Sequence, residues 1–171
     1  MSKKILITYA TYTGSAETIA GIISYDLNAR GLNTEVVPMK EVTDLSKYDA
    51  VVAGSAIHSG RWLPEAFDFL NTHRQELNTK PFAAFLVCMT MAMKNSDKYL
   101  QFVSDFMIPV REIVKPVSEG HFAGKLEIRK IKSLSEKIKF RISVSAGVWK
   151  EGDHINSSEI VKWSESLSHI L

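Results

Sequence analysis

Residues 4–18 read KILITYATYTGSAET, and this stretch decides the fold. It opens with a short apolar run that contains β-branched side chains, which predicts a strand over 4–9. A polar, hydroxyl-rich loop follows, and apolar residues then recur at every fourth position from Ile19 to Leu27. This spacing predicts a helix over 17–30. A strand that leads through a short loop into a helix is the start of a βαβ unit.

The rest of the chain repeats this alternation of apolar strands and amphipathic helices. Four more strands are predicted at 34–38, 48–54, 82–88 and 117–122, and three more helices near Pro64, Asp97 and Asn156. The alternation indicates an α/β protein with a five-stranded parallel sheet, and right-handed crossovers favour a doubly wound arrangement. Such sheets bind ligands at the carboxyl ends of their strands. The loops after the first, third and fourth strands are therefore the candidate site.

The composition is that of an ordinary globular protein. The chain has 171 residues, of which 45% are hydrophobic and 23% charged, and its net charge is +2, so we expect a single domain over 1–171. No run approaches the length of a transmembrane helix, and we expect a cytoplasmic protein. The single cysteine, Cys88, excludes an internal disulfide, and its apolar neighbours predict that it is buried. No metal-site spacing occurs, so no metal is expected.

The loop after the first strand has the features of a phosphate site. A helix start leaves backbone N–H groups unpaired and carries a partial positive charge, and the hydroxyls of Thr11, Thr13 and Ser15 add neutral donors. Gly14 allows a close approach of the backbone. The loop matches neither Gly-Lys-Ser/Thr nor Gly-x-Gly-x-x-Gly, so a terminal monophosphate is the expected ligand. The alternative is a helix start that Thr or Ser merely caps.

The sequence Thr-x-Thr-Gly-Ser-Ala-Glu over 11–17 resembles the FMN-phosphate loop of flavodoxins and of the FMN domains of diflavin reductases. The resemblance implies a three-layer flavodoxin-like fold with strand order 2-1-3-4-5. It also implies FMN as a non-covalent cofactor with its phosphate on this loop. The residues that would hold it there are Thr11, Tyr12, Thr13, Gly14, Ser15 and Ala16.

The loops after the third and fourth strands supply candidates for the flavin ring. Trp62 either stacks on the ring or packs in the core, and the Gly60 carbonyl is a candidate partner for flavin N5. His58 is either a redox-linked proton site or a solvated loop residue. The methionines after the fourth strand line the flavin edge, line a hydrophobic substrate site or pack below the loop. The full set of ring candidates is Ser55, Ala56, Ile57, His58, Gly60, Trp62, Met89, Thr90 and Met91.

Residues 125–147 form a basic insert before the last helix. Residues 125–144 read KLEIRKIKSLSEKIKFRISV, in which seven basic and two acidic side chains leave a charge of +5. Leu134, Ile138 and Ile142 have helical spacing, whereas 138–144 alternates as a strand does. A basic amphipathic segment either lies on an anionic membrane surface or covers the sheet with its charges solvated. No nucleic-acid motif accompanies the charge, so nucleic acid is not an expected partner.

A second resemblance narrows the expected function. The chain is similar to the menaquinone-dependent protoporphyrinogen oxidase branch of flavodoxin-like proteins at GSAIHSG over 54–60, at Trp62, at Ala123-Gly124 before the insert and at Trp163. The resemblance implies an FMN-dependent oxidoreductase that passes electrons from a reduced, protoporphyrinogen-like substrate to a quinone, at the inner face of the cell membrane. The flavin carries such chemistry, so no catalytic side chain is expected. The alternatives are a soluble flavodoxin-type electron carrier with a redox partner protein, and a non-redox phosphate-ligand module on the same fold.

Overall fold

The computed structural model describes residues 3–171 and contains a parallel sheet flanked by helices. The strands are β1 (Lys4–Ala10), β2 (Asn33–Pro38), β3 (Ala50–His58), β4 (Arg61–Trp62), β5 (Phe82–Val87), β6 (Ser118–Phe122), β7 (Lys125–Leu126) and β8 (Gly152–Asp153). The helices are α1 (Ser15–Ala29), α2 (Pro64–Thr72), α3 (Arg74–Leu77), α4 (Leu100–Asp105), α5 (Ile108–Ile113), α6 (Leu134–Ser145) and α7 (Ser157–Ser168).

The main sheet has the strand order β2-β1-β3-β5-β6, and each neighbouring pair is parallel. Since β5 and β6 are the fourth and fifth parallel strands along the chain, this is the predicted order 2-1-3-4-5, and the predicted fold class is confirmed. The sequence did not predict β4, which forms an antiparallel hairpin with β3. Ser59 and Gly60 connect the two strands with φ of 51° and 76°, the positive values of a type I′ turn.

The sheet is buried on both faces. Successive side chains of a strand point to opposite faces. Ile5 and Ile7 of β1 accordingly pack with α1 and α7, whereas Leu6 packs on the opposite side with α2 and α5. Burial on both faces explains why the strands read as continuous apolar runs in the sequence.

The helical boundaries differ from the prediction in one region. Proline is expected to end or kink a helix, and the helix predicted after Asp97 accordingly ends at Asp105, while α5 begins at Ile108 with Pro109 in its first turn. Asp97 lies inside a 3₁₀ turn over Ser96–Tyr99 and does not cap α4. The predicted cap of the last helix is confirmed, since the Asn156 side chain accepts two N–H bonds from the first turn of α7.

The insert begins with β7, which pairs antiparallel with β8 beyond the end of the insert, and α6 lies between the two strands in sequence. Ser133 Oγ accepts the backbone N–H of Glu136 and caps α6, so the ambiguous apolar pattern belongs to a helix. Cys88 is buried as expected. Within residues 3–171, no helix is both long enough and apolar enough to cross a membrane.

Candidate functional site

The loop between β1 and α1 leaves the first backbone N–H groups of α1 free. Gly14 has φ 98°, a left-handed conformation that favours glycine, and its N–H donates to Thr11 Oγ1 over 2.9 Å. Among the residues that the structure describes, no side chain caps α1, so the alternative of a Thr or Ser cap does not occur there. Within residues 3–171, no group accepts the N–H of Ser15, Ala16 or Glu17. These three donors and the positive end of the helix dipole therefore remain available.

The start of the insert is hydrogen-bonded to this loop and packs closely against it. Ser15 Oγ accepts the backbone N–H of Lys125 over 2.9 Å, which still leaves the Ser15 hydroxyl hydrogen free to donate. A Cβ on Gly124 would lie 2.8 Å from Val87 Cγ1 and 3.1 Å from Ser15 Cβ. Glycine at this position therefore allows the insert to approach the loop closely.

Replacing Gly124 with alanine should lower the free energy of unfolding by about 1–3 kcal/mol, because the added methyl group overpacks the contact with Val87 and Ser15. Urea denaturation followed by circular dichroism measures the change. Gly21→Ala is the matched control, since a Cβ on Gly21 in α1 meets nothing within 4 Å and alanine favours a helix. Equal stability of the Gly124→Ala variant and the parent would contradict the close contact.

A cleft of about 100 Å³ opens at the carboxyl ends of β1, β3 and β5. This is the edge at which doubly wound sheets bind ligands. The three loops that the sequence singled out and the insert all contribute to its walls. The lining residues are Thr11, Tyr12, Thr13, Ser15, Ala56, Ile57, His58, Val87, Met89, Gly124, Lys125, Leu126, Glu127, Ile131 and Phe140.

Two side chains of the cleft lining, Tyr12 and His58, bond to Glu136 of α6, and we call these three residues the clasp. The Tyr12 and His58 rings stack with centroids 4.8 Å apart. Tyr12 Oη donates to Glu136 Oε2 over 2.9 Å, and His58 Nε2 lies 2.5 Å from Glu136 Oε1. The bond from His58, helped by that from Tyr12, lowers the pKa of Glu136 below its usual value. The same carboxylate raises the pKa of Tyr12.

Several predicted residues lie outside the cleft lining, namely Gly14, Ala16, Ser55, Gly60, Trp62, Thr90 and Met91. Gly14 belongs to the loop and Ala16 to the first turn of α1. Thr90 and Met91 lie in a 3₁₀ turn over Met89–Ala92, where Met91 packs against the core. Met89, in the same turn, does line the cleft.

Trp62 lies in the core, which is the second of the two placements that the sequence left open. It is only 2% exposed and packs among buried residues under α2. Its neighbour Ser55 holds the connection between β3 and α2, since Ser55 Oγ donates to Ala56 O over 2.9 Å and accepts the N–H of Leu63 over 3.0 Å. Gly60 occupies the hairpin turn, close to the ring of Phe106.

The insert contributes residues to the cleft that the sequence did not predict. Leu126, Ile128 and Ile131 form a small buried cluster against which Met89 and Phe140 pack. Leu126 and Ile131 of this cluster line the cleft. Glu136 was also missed. The only sequence signal for these residues was the position of the insert before the last helix, which does not reveal which loop it contacts.

A family model described as a flavodoxin domain matches residues 6–147. The match runs from β1 through α6 and so includes all three loops of the cleft and the whole insert. This chain belongs to the flavodoxin domain family. The family assignment agrees with the strand order and with the position of the cleft in this flavodoxin domain.

Solved structures share the fold of this flavodoxin domain at low sequence identity. A flavodoxin from Streptococcus pneumoniae TIGR4 is 18% identical, covers 98% of this chain and 99% of its own, and has a TM-score of 0.60. A short-chain flavodoxin associated with a PDU bacterial microcompartment is 16% identical over 85% of this chain and 99% of its own, with a TM-score of 0.57. The flavodiiron protein from Giardia intestinalis aligns with 96% of this chain through 38% of its own, at a TM-score of 0.51.

A curated relative of this flavodoxin domain is the protoporphyrinogen IX dehydrogenase [quinone] of Escherichia coli K12. It is 28% identical over 86 residues, which are 49% of this chain and 48% of the relative. Two further Escherichia coli strains have relatives of the same name with the same values. The chain thus matches about half the length of the curated relatives.

Proposed function

We propose that this flavodoxin domain binds FMN in the cleft and works as an oxidoreductase through it. The observation that carries the proposal is the set of three free N–H groups at the start of α1, which open at the carboxyl edge of the sheet. Bound FMN supplies one- and two-electron redox chemistry, and the protein supplies binding, orientation and electrostatics.

The phosphate end of FMN fits the loop over 11–16. Helix N-termini bind phosphate through backbone N–H groups and the helix dipole, and the Thr13 hydroxyl has no partner within residues 3–171. The lysine in the lining, Lys125, is paired with Asp153 over 3.1 Å. Neutral donors would therefore hold the phosphate, as the sequence of the loop suggested.

The ring end of FMN fits only when the clasp opens. The cleft encloses about 100 Å³, whereas sites for drug-sized ligands have volumes of about 300 Å³ or more. Ala56, Ile57 and Met89 line the side toward the sheet and would flank the ring there. Release of Glu136 from Tyr12 and His58 would let the insert move away and enlarge the cleft.

We further propose that the electrons pass from a reduced, protoporphyrinogen-like substrate to a quinone. Two observations support this assignment over a pure electron carrier. The first is the likeness to the quinone-linked protoporphyrinogen IX dehydrogenase, which extends over half of the chain. The second is the insert, whose Leu126, Ile131 and Phe140 give the cleft an apolar wall suited to a large apolar substrate.

The cofactor is tested by titrating FMN and riboflavin into the purified protein and following flavin fluorescence. FMN should bind about a hundredfold more tightly than riboflavin, because only FMN carries the phosphate that takes charge-assisted bonds from the loop. FMN that survives desalting supports the proposal. Equal binding of the two flavins would show that the loop is not a phosphate site, and no binding of either would refute the cofactor.

The reaction is tested by mixing the FMN-loaded protein with protoporphyrinogen IX and a menaquinone analogue under anaerobic conditions. Porphyrin fluorescence should appear only with protein and quinone together, and free FMN at equal concentration is the control. If the protein takes electrons from a reductase but oxidises no porphyrinogen, the electron-carrier alternative replaces the oxidase assignment while the cofactor stands.

A further inference from the structure

The outward side of α6 carries an apolar stripe that the fold does not use. Leu134, Ile138 and Ile142 follow one another at four-residue spacing and therefore share one side of the helix. Their exposed fractions are 73%, 50% and 63%. Scattered exposed apolar residues are normal on a protein surface, but a continuous stripe marks an interaction site.

The opposite side of α6 already provides the contacts that hold the helix. Glu136 belongs to the clasp, and Phe140 and Val144 pack against the cluster of Leu126, Ile128 and Ile131 in the insert. Residues two apart on a helix lie about 200° apart around the axis, so this inner set and the outer stripe occupy opposite sides. The outer stripe is thus additional to what folding of the insert requires.

Basic side chains border the stripe on both sides. At about 100° per residue, Lys137 and Arg141 lie along one edge of the stripe and Lys139 along the other. Within residues 3–171, none of the three has a carboxylate within 4.0 Å. The acidic residue of the helix, Glu136, faces inward. The outer side of α6 is therefore apolar along its centre and positive along its edges.

We propose that the outer side of α6 docks on the surface of an anionic phospholipid bilayer. An apolar stripe between two basic edges fits the membrane interface, where apolar side chains enter the boundary with the acyl chains and basic ones meet anionic headgroups. The charge complementarity favours this occupant over a second copy of the chain, because two such helices would repel each other. Docking would hold the cleft close to the bilayer, since Phe140 of the same helix lines the cleft.

The test is co-sedimentation of the full chain with vesicles of phosphatidylcholine alone or mixed with phosphatidylglycerol, with and without added FMN. The protein should sediment with the mixed vesicles, stay in solution with pure phosphatidylcholine, and dissociate in about 0.5 M NaCl, where screening is strong. Absence of binding to the mixed vesicles overturns the proposal, as does equal binding to both kinds. Neither outcome depends on whether the protein holds a flavin.

Matched variants separate this surface from general charge and hydrophobicity. Ile138→Gln with Ile142→Gln should weaken binding about tenfold, while Tyr25→Gln with Val117→Gln, at sites that are 80% and 56% exposed, should leave it unchanged.

Likewise, the triple change Lys137→Gln, Lys139→Gln and Arg141→Gln should weaken binding about a hundredfold. The same net charge results from Lys40→Gln, Lys98→Gln and Lys115→Gln, which should have a much smaller effect. If each pair of variants loses binding equally, α6 is not the docking surface.

Discussion

Glu136→Ala should raise the association rate of FMN about tenfold. The clasp ties α6 to the loop after β1 and to the end of β3 through two bonds to one carboxylate, and in the binding mode proposed above the flavin ring enters only when they break. Bonds to a charged group contribute about 1.5–3 kcal/mol each when buried, and the partial exposure of His58 and Glu136 reduces this. A remaining bias of about 1.4 kcal/mol toward the closed state corresponds to a tenfold smaller open population. Stopped-flow quenching of FMN fluorescence measures the rate.

Two variants and one titration test whether the clasp is the cause. Tyr12→Phe removes one bond and should give an intermediate rate, while Glu127→Ala removes a carboxylate that lines the cleft but lies outside the clasp and should leave the rate unchanged. Since the pKa of Glu136 lies below its usual 4.5, its ionised form stabilises the closed clasp above that value. This stabilisation is lost as pH falls through the lowered pKa, so the parent rate should rise toward that of the alanine variant in acid. Slower association of Glu136→Ala would mean that Glu136 helps to hold FMN.

The elements built from local periodicity were predictable, and the contacts between distant segments were not. The apolar run over 4–9 predicts a strand, and the four-residue spacing from Ile19 to Leu27 predicts a helix, without information from the rest of the chain. The sequence therefore predicted β1, α1 and the loop between them correctly. The parallel sheet then placed the cleft at the carboxyl edge without further information. Glu136 meets His58 and Tyr12 from 78 and 124 residues away, and no local pattern encodes such a pairing.

The apolar pattern of the insert fits both a helix and a strand, and this ambiguity has a geometric cause. The outer stripe over Leu134, Ile138 and Ile142 and the inner set that starts at Glu136 both repeat every four residues, and they are offset by two. Together they fill the even-numbered positions of α6, while the odd-numbered positions are polar. A helix with contacts on both sides therefore imitates the alternation of a strand. The placement of Trp62 was open for a different reason. The β3–β4 hairpin directs Trp62 into the core, and this hairpin forms through a two-residue turn that the sequence analysis did not predict.

Gly54→Ala should lower the free energy of unfolding by more than about 3 kcal/mol, a larger stability loss than any other change considered. Gly54 in β3 and Phe85 in β5 are direct partners in the sheet, and the tip of the Phe85 ring lies where a side chain on residue 54 would be. A Cβ there would lie 2.0 Å from Phe85 Cζ. Phe85 is fully buried and packs against Phe122 and Trp163, so the ring has little room to move.

A double-mutant cycle distinguishes this clash from a general effect of removing glycine from a strand. Phe85→Leu alone should cost about 1–3 kcal/mol by leaving a small cavity. Because leucine withdraws the ring from residue 54, the double variant Gly54→Ala with Phe85→Leu should be more stable than the sum of the two single losses predicts, by about 1–3 kcal/mol. Urea denaturation of the four proteins measures the coupling. Additive losses would mean that the ring is not the obstacle. Since β3 runs directly from Gly54 into Ala56 and Ile57 at the cleft, FMN affinity should follow the same order as stability, which would link the packing of this strand to the shape of the site.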